Sequence, residues 1–204
     1  MAEKYRQGAS EIDMIIYATK QTIERYKMKM PSELTPPNNI FAQTVIEREQ
    51  GDKLLEWGAK LFYFDKRKCI QITNFASKFT LFLVDIKVGD LPEVGNLIAQ
   101  YLLNIYSEDR KMTEALERMF NEYPVSCFAR LTDRSAVATL NYTQRSFLQD
   151  GYRLYNYIKD GILHTIEINK DVNFNWLFTR KVDNKTEWFY SGELFQEMVL
   201  KRFS

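Results

Sequence analysis

The stretch LTDRSAVATLN, residues 131–141, is the point at which a strand-like segment gives way to a helix. Residues 125–131 are rich in apolar side chains over a length typical of a strand. The pattern after Asp133 repeats apolar residues at spacings of three and four and continues to about residue 158. Thr132 and Asp133 are residue types that cap helix N-termini, so the junction predicts a helix placed directly behind a strand.

Three short apolar segments upstream predict a β-meander. They cover residues 55–64, 68–73 and 78–86, and only short, turn-like sequences separate them. Aromatic and β-branched residues dominate these segments, which favours strands, and the short turns favour antiparallel hairpins. The last segment is apolar at both alternating sets of positions, so we expect both of its faces to be covered and the strand to be central in the sheet.

The rest of the chain adds strands and helices on both sides of the meander. We expect further strands at residues 14–18, 162–168, 175–181 and 186–190. Capping residues before apolar side chains at helical spacing predict helices at residues 19–28, 90–105 and 108–123 and from Ser191 onward. Residues 29–52 are interrupted by three prolines and predict an extended, mobile connector.

These elements predict an α+β fold in which an antiparallel β-sheet, the meander plus additional strands, packs against several amphipathic helices. We expect residues 14–204 to form one domain, with a core at 14–150 and a C-terminal strand, hairpin and helix extension at 151–204. Residues 1–13 are polar and are expected to be a disordered or dispensable tail.

Composition excludes several classes of protein. The chain is 45% hydrophobic, yet its longest apolar runs are far shorter than the roughly 20 residues of a membrane-spanning helix. The charged N-terminal residues do not resemble a secretory signal, so we expect a cytoplasmic protein. Cys69 and Cys127 lie in apolar segments and are expected to be buried thiols rather than a disulfide. A net charge of +1 gives no strong global field for steering nucleic acid.

Four segments occur in the order MIIYATK, LEWGAKLFYFDKRKCIQITN, FTLFLVDIK and TDRSAVATLN. Together they resemble the bacterial DUF6933 family, a domain family without an assigned activity, and the resemblance covers residues 14–144. The chain departs from the family pattern at Gly58, where a histidine is expected directly after the tryptophan. The resemblance implies a single bacterial cytoplasmic domain and supplies no catalytic residue or ligand.

The strand-to-helix junction is the first candidate site. Backbone N–H groups at the helix start, the helix dipole and Arg134 would together hold a phosphate or carboxylate at Asp133, Arg134 and Ser135. The alternative is a simple N-cap by Thr132 or Asp133, with Arg134 paired to a neighbouring carboxylate. Asp133 repels an anion, which favours the cap.

Two further surfaces are candidates for partners. Lys66, Arg67 and Lys68 lie at a predicted hairpin tip, with Lys60, Lys78 and aromatic residues nearby in sequence, and would suit a nucleic-acid backbone. A charged, solvated hairpin tip is the alternative. Tyr152, Arg153 and Tyr155 are residue types favoured at protein interfaces, and ordinary amphipathic packing is their alternative.

Residues suited to enzyme chemistry are few. His164 is the sole histidine, and the two cysteines lack paired C-x-x-C spacing, so we expect no metal site. The scattered glycines form no phosphate-binding loop, and we expect no cofactor and no catalytic residue. A dyad of His164 with Cys127 or Ser135 remains as the enzymatic alternative.

The sequence therefore favours a non-enzymatic protein-binding module, with a link to mobile elements or phage conflict as a further hypothesis. Two alternatives stay open. One is a nucleic-acid-associated protein that uses the basic hairpin, and the other is a nucleotide- or phosphate-binding enzyme domain that uses Asp133, Arg134 and Ser135. We expect a protein partner and no membrane association, while the sequence leaves the oligomeric state open.

Overall fold

The computed structural model describes residues 14–120, 126–149 and 154–204. The expected N-terminal tail and the candidate interface residues Tyr152 and Arg153 lie outside these ranges. The strands are β1 Met14–Ala18, β2 Glu56–Phe64, β3 Arg67–Asn74, β4 Thr80–Leu83, β5 Ser126–Arg130, β6 Ile158–Lys159, β7 Ile162–Leu163, β8 Leu177–Val182 and β9 Lys185–Tyr190. The α-helices are α1 Lys20–Tyr26, α2 Asn38–Glu49, α3 Val94–Ile105, α4 Arg110–Phe120, α5 Arg134–Gln144, α6 Thr165–Phe174 and α7 Ser191–Phe203.

The fold is α+β, and its main sheet has five strands in the order β4-β3-β2-β1-β5. The β2–β3 and β3–β4 pairs are antiparallel, as the meander predicts. The expectation of a wholly antiparallel sheet is wrong, because β1 runs parallel to both β2 and β5. The long connection through α1 and α2 returns the chain to the end of the sheet at which β1 begins, so that β2 can run parallel to β1.

The main core lies on one face of the sheet. Strand residues that alternate along the sheet, such as Ile16, Trp57 and Ile72, pack there against α1, α3, α4 and α7. The opposite face carries apolar residues at its ends, and in the middle it carries Gly58 and the polar residues Lys60, Gln71 and Thr73. Helix α5 lies across this second face. Because the face carries polar side chains, it is the place where a site can form.

Strand β4 is an edge strand, so its predicted central position is wrong. Its two faces are covered as expected, Leu81 and Leu83 by the main core and Phe82 by a second cluster with Phe147 and Ile168. Its free edge is covered by α6 instead of a further strand. The expected strand at residues 162–168 is likewise wrong, because only Ile162–Leu163 is extended before α6 begins at Thr165.

Several helix boundaries also differ from expectation. The connector at residues 29–52 contains α2, which packs through Ala42 and Val45 near Cys127. Asp90 accepts a hydrogen bond from the Lys87 N–H in a 3-10 turn, Val88–Glu93, so α3 starts only after that turn. Helix α5 continues as a π-helical turn, Arg145–Gln149, and residue 158 is already in β6.

The hairpin predicted near the C-terminus is present as β8 and β9, joined by a two-residue turn. Asp183 and Asn184 both have positive φ there, which is the backbone that such tight hairpins require. The Ser191 hydroxyl does not cap α7 but donates to Asn173 Oδ1 at 2.8 Å. Within the described ranges, no helix has the length and apolar character needed to cross a bilayer.

Candidate functional site

The buried side chain of Asn74 joins two loops at the end of β3. Its Oδ1 accepts from the backbone N–H groups of Ala76 and Ser77, both at 3.1 Å, and closes the turn at residues 74–78. Its Nδ2 donates to the carbonyl of Leu54 at 2.8 Å, which ties that turn to the segment before β2. Two loops that are distant in sequence are thereby held side by side.

A buried carboxylate lies beneath these loops. Glu56 Oε2 is 2.5 Å from Lys53 Nζ, and its Oε1 accepts from the Gly51 N–H at 2.8 Å. The hydroxyl of Tyr17 donates to the same oxygen at 3.4 Å. Burial first, and then the neighbouring Glu56 charge, raise the pKa of Tyr17 to about 12. The carboxylate charge is thus neutralised by Lys53 and by hydrogen bonds.

The Phe75 ring covers the centre of this polar face. It stacks on Tyr17 with ring centroids 5.7 Å apart, and Lys53 Nζ lies 5.6 Å from its centroid. The ring also lies directly over Gly58, because a Cβ at Gly58 would be 2.8 Å from Phe75 and 3.0 Å from Leu140. The aromatic ring therefore occupies the space that a side chain at Gly58 would need.

A cavity of about 160 Å³ lies between the 74–78 turn and the first half of α5. We call it the Lys78 cavity. Its lining combines two cations and one carboxylate with hydroxyl groups and apolar surface: Lys53, Thr73, Asn74, Phe75, Lys78, Asp133, Ser135, Ala136, Thr139 and Leu140. The structure therefore brings Asp133 and Ser135 together with two lysines that the junction sequence does not contain.

The junction itself adopts the N-cap geometry. Asp133 Oδ1 accepts from the backbone N–H groups of Ser135 at 2.7 Å and Ala136 at 3.2 Å. These are the groups that an anion at the helix start would need. Arg134 is exposed, does not line the Lys78 cavity and makes no ion pair within the described part of the chain. The N-cap alternative also expects Arg134 to pair with a neighbouring carboxylate, and no such ion pair is present among the described residues.

Two half-buried lysines on this face have no carboxylate partner among the described residues. Lys78 donates to the Thr179 carbonyl at 2.7 Å and Lys60 donates to Asn141 Oδ1 at 2.7 Å. Burial lowers the pKa of both ammonium groups, and neither group forms an ion pair within the described residues. Lys78 also lines the cavity, and its ammonium group makes no other hydrogen bond and no ion pair within the described residues.

Strands β8 and β9 form a two-stranded ribbon, residues 177–190, beside this cavity. Of its strand residues only Phe178 is buried, and Phe189 and Tyr190 are half-buried. Trp188 is 68% exposed. Lys78 anchors the ribbon through the Thr179 carbonyl and lies 5.9 Å from the Phe189 ring centroid. Trp188 is not among the candidates that the sequence suggests, although its alternation with Thr186 and Tyr190 places it on an outward face.

Two of the three cations of the basic hairpin make contacts within the protein. Asp65 and Lys66 form its tip, while Arg67 pairs with Asp85 at 3.1 Å. Lys68 donates to the Arg25 carbonyl and lies over the Tyr26 ring. Lys66 alone of the three cations makes no such contact in the described structure. Lys60 and Lys78, which are near the hairpin in sequence, donate instead to Asn141 of α5 and to Thr179 of the ribbon.

Tyr155, the described member of the third candidate set, packs beside this hairpin. Its ring centroid lies 4.8 Å from that of Phe64, and half of the residue is exposed. The contact brings two sequence candidates together, the basic hairpin and the tyrosine segment, although residues 150–153 between Tyr155 and α5 are outside the described ranges.

Of the residues considered for a catalytic dyad, Ser135 lines the Lys78 cavity, whereas His164 and Cys127 do not. His164 precedes α6, and its Nδ1 lies 3.5 Å from Glu167 Oε1. Cys69 and Cys127 are buried thiols outside any disulfide, and burial raises the pKa of Cys69. No group of three or more His, Cys, Asp or Glu side chains within the described ranges is arranged to hold a metal ion.

A family model described as a domain of unknown function, DUF6933, matches residues 15–194. The chain belongs to this family. The match extends past the motifs at residues 14–144 and includes the whole ribbon of this DUF6933 domain. No curated protein matches the chain significantly. The family resemblance leads one to expect histidine at position 58. This DUF6933 domain has glycine there, and the Phe75 ring fills the space that a side chain would occupy. The chain therefore has no imidazole at this position.

Proposed function

We propose that this DUF6933 domain is a non-enzymatic, cytoplasmic bacterial protein that binds another protein through the ribbon at residues 177–190. The observation that supports this most is the 68% exposure of Trp188 on the ribbon. Trp is the residue type most enriched among those that dominate binding energy at protein interfaces. A large apolar ring kept in solvent gains free energy when a partner covers it.

The chemistry of one ribbon face suggests what the partner presents. The cross-strand pairs Leu177–Tyr190, Thr179–Trp188 and Lys181–Thr186 share that face. We call it the Trp188 face. It carries apolar and hydroxyl groups and a single charge, Lys181, whereas the opposite face carries the Arg180–Glu187 ion pair at 3.0 Å. We therefore expect the partner to offer an apolar pocket for the indole, with an acidic rim opposite Lys181.

The ribbon is held in place for this role. The rings of Phe178 and Phe189, with centroids 6.1 Å apart, stack on each other across its two strands, and Phe178 is buried. Lys78 joins the ribbon to the 74–78 turn by donating to the Thr179 carbonyl. A two-stranded ribbon alone is marginally stable in water, so these contacts matter. A preorganised ribbon loses little conformational entropy on binding.

The experiment compares Trp188→Ala with wild type in affinity capture from the native bacterial host, followed by titration of the purified partner. Tyr142→Ala is the matched control, because Tyr142 is 57% exposed on α5 and lies outside the ribbon. Loss of an interfacial tryptophan costs about 2 kcal/mol or more, a factor of about 30 in Kd. Equal binding by wild type and Trp188→Ala would overturn the proposal.

A nucleic-acid arm belongs in the same experiment, because an exposed indole also stacks on bases. Titration with a single-stranded oligonucleotide at two salt concentrations separates the two functions. Binding that weakens steeply with salt and disappears in Trp188→Ala would replace the protein-binding proposal. We favour the protein partner because Arg67 and Lys68, at the basic hairpin, are engaged in internal contacts.

A further inference from the structure

We propose that the Lys78 cavity binds a small organic carboxylate, with the Lys78 ammonium group as its counterion. This inference goes beyond protein binding at the ribbon, because it concerns a different ligand and a different surface. The charge, the volume and the lining of the cavity support it.

Lys78 supplies an uncompensated charge. The ammonium group makes one hydrogen bond, to the Thr179 carbonyl, and no ion pair within the described residues. An ammonium group has three donors, so two remain for a ligand. Burial that lowers its pKa also removes the water that would compete with an anion. A carboxylate beside Lys78 would stabilise the charged ammonium group, which desolvation destabilises.

The other charged groups of the lining already have partners. Lys53 is paired with Glu56 at 2.5 Å, and Asp133 accepts from two backbone N–H groups at the start of α5. The helix terminus therefore takes no part in the proposed site. Lys78 is the cation of this lining that lacks a carboxylate, which makes it the group that recognises the anion.

The volume and the apolar lining indicate an organic ligand. A cavity of about 160 Å³ is close to the roughly 150 Å³ of an engineered apolar cavity that binds benzene. Phe75, Ala136 and Leu140 offer apolar surface for a flat ring or short chain. The hydroxyl groups of Ser135 and Thr139 make no hydrogen bond within the described structure and can donate to a carboxylate oxygen.

Benzoate is the probe, and benzamide is its neutral isostere. Titration by calorimetry or by NMR chemical shifts should give saturable binding of benzoate in the millimolar range or tighter, and much weaker binding of benzamide. Lys78→Met retains the apolar stem and removes the charge, so benzoate affinity should fall about tenfold or more. Lys66→Met is the matched control, since Lys66 is an exposed lysine at another turn with positive φ, and it should bind like wild type.

A second variant keeps the test independent of the ribbon contact made by Lys78. Thr139→Val removes one hydroxyl at nearly constant volume, and it should weaken benzoate more than benzamide. The absence of saturable benzoate binding by the wild type would overturn the proposal. Equal binding of benzamide, or an equal loss in Lys66→Met, would overturn it as well, because the cavity would then not recognise the charge through Lys78.

Discussion

Asn173 satisfies both backbone polar groups of Thr80. Its Nδ2 donates to the Thr80 carbonyl at 2.7 Å, and its Oδ1 accepts from the Thr80 N–H at 2.8 Å. One helical turn earlier, Asn169 Oδ1 accepts from the Phe82 N–H at 2.8 Å. Two amide side chains on α6 thus replace the hydrogen bonds that another strand would make. They close an edge that would otherwise be open to pairing with a second chain.

We predict that Asn173→Ala is strongly destabilising. The change leaves the buried N–H and carbonyl of Thr80 and the Ser191 hydroxyl without this partner. Each buried unsatisfied group costs about 1–3 kcal/mol, so the free energy of unfolding should fall by about 3 kcal/mol in urea denaturation. Asn175→Ala is the control, because Asn175 is exposed and bonds only to Asp171 among the described residues. A similar loss in both variants would contradict this account.

The same two asparagines explain why α6 was not recognised from the sequence. Hydrophobic periodicity identifies a helix when its buried side chains are apolar. In α6 the buried positions include Ile168 and Val172 but also Asn169 and Asn173, so half of the helical repeat is polar. The remaining alternation from Ile162 to Ile168 then resembles a strand. The meander was predicted correctly because its buried residues are apolar and local turns connect them.

The sequence predicts only the part of the candidate site that is formed by residues adjacent in the chain. The Asp133 cap follows from the residue types at one junction and is present in the structure. Lys53 and Lys78 reach the same cavity because Asn74 holds two loops together, and that contact depends on tertiary structure. The parallel placement of β1 was missed for the same reason, since a strand segment does not indicate which neighbour it pairs with.

A second prediction separates the cap from Arg134. Asp133→Ala should lower the free energy of unfolding by about 0.5–2 kcal/mol, because two N–H groups at the start of α5 lose their acceptor. Arg134→Ala should change it by no more than about 0.5 kcal/mol, as for other exposed positions. Chemical denaturation of both variants checks the order. A larger loss for Arg134→Ala would indicate that the guanidinium has a structural partner.

Gly58 is the subject of a third prediction. Gly58→Ala places a Cβ 2.8 Å from the Phe75 ring and 3.0 Å from Leu140, so overpacking should cost about 1–3 kcal/mol. Gly89→Ala is the control, because a Cβ there meets nothing within 4 Å. Thermal and urea unfolding report both variants. Combining Gly58→Ala with Phe75→Leu should cost less than the sum of the single changes, and strict additivity would exclude the ring as the cause.

Tyr17 gives a prediction for alkaline pH. Its pKa is raised from 10.0 to about 12 in the folded protein, so the neutral phenol is favoured by folding. The stability that Tyr17 contributes is present below pH 10 and is lost as the pH rises towards 12. Tyr17→Phe should therefore flatten part of the decline in unfolding free energy across this window. An unchanged slope would show that Tyr17 does not contribute to alkaline unfolding.

A last prediction concerns the anchoring of the ribbon by Lys78. The Lys78 ammonium group bonds to the Thr179 carbonyl and lies over the Phe189 ring, which joins the ribbon to the 74–78 turn. Lys78→Met removes both contacts but also removes a desolvated charge, so the thermal midpoint should change little. Local opening should nevertheless increase, because the ribbon has few buried contacts of its own. Hydrogen exchange should therefore become faster at residues 177–190 and stay unchanged in β2 and β3. Lys66→Met should leave both regions as in wild type, and faster exchange spread over the whole sheet would mean that Lys78 stabilises the fold rather than the ribbon.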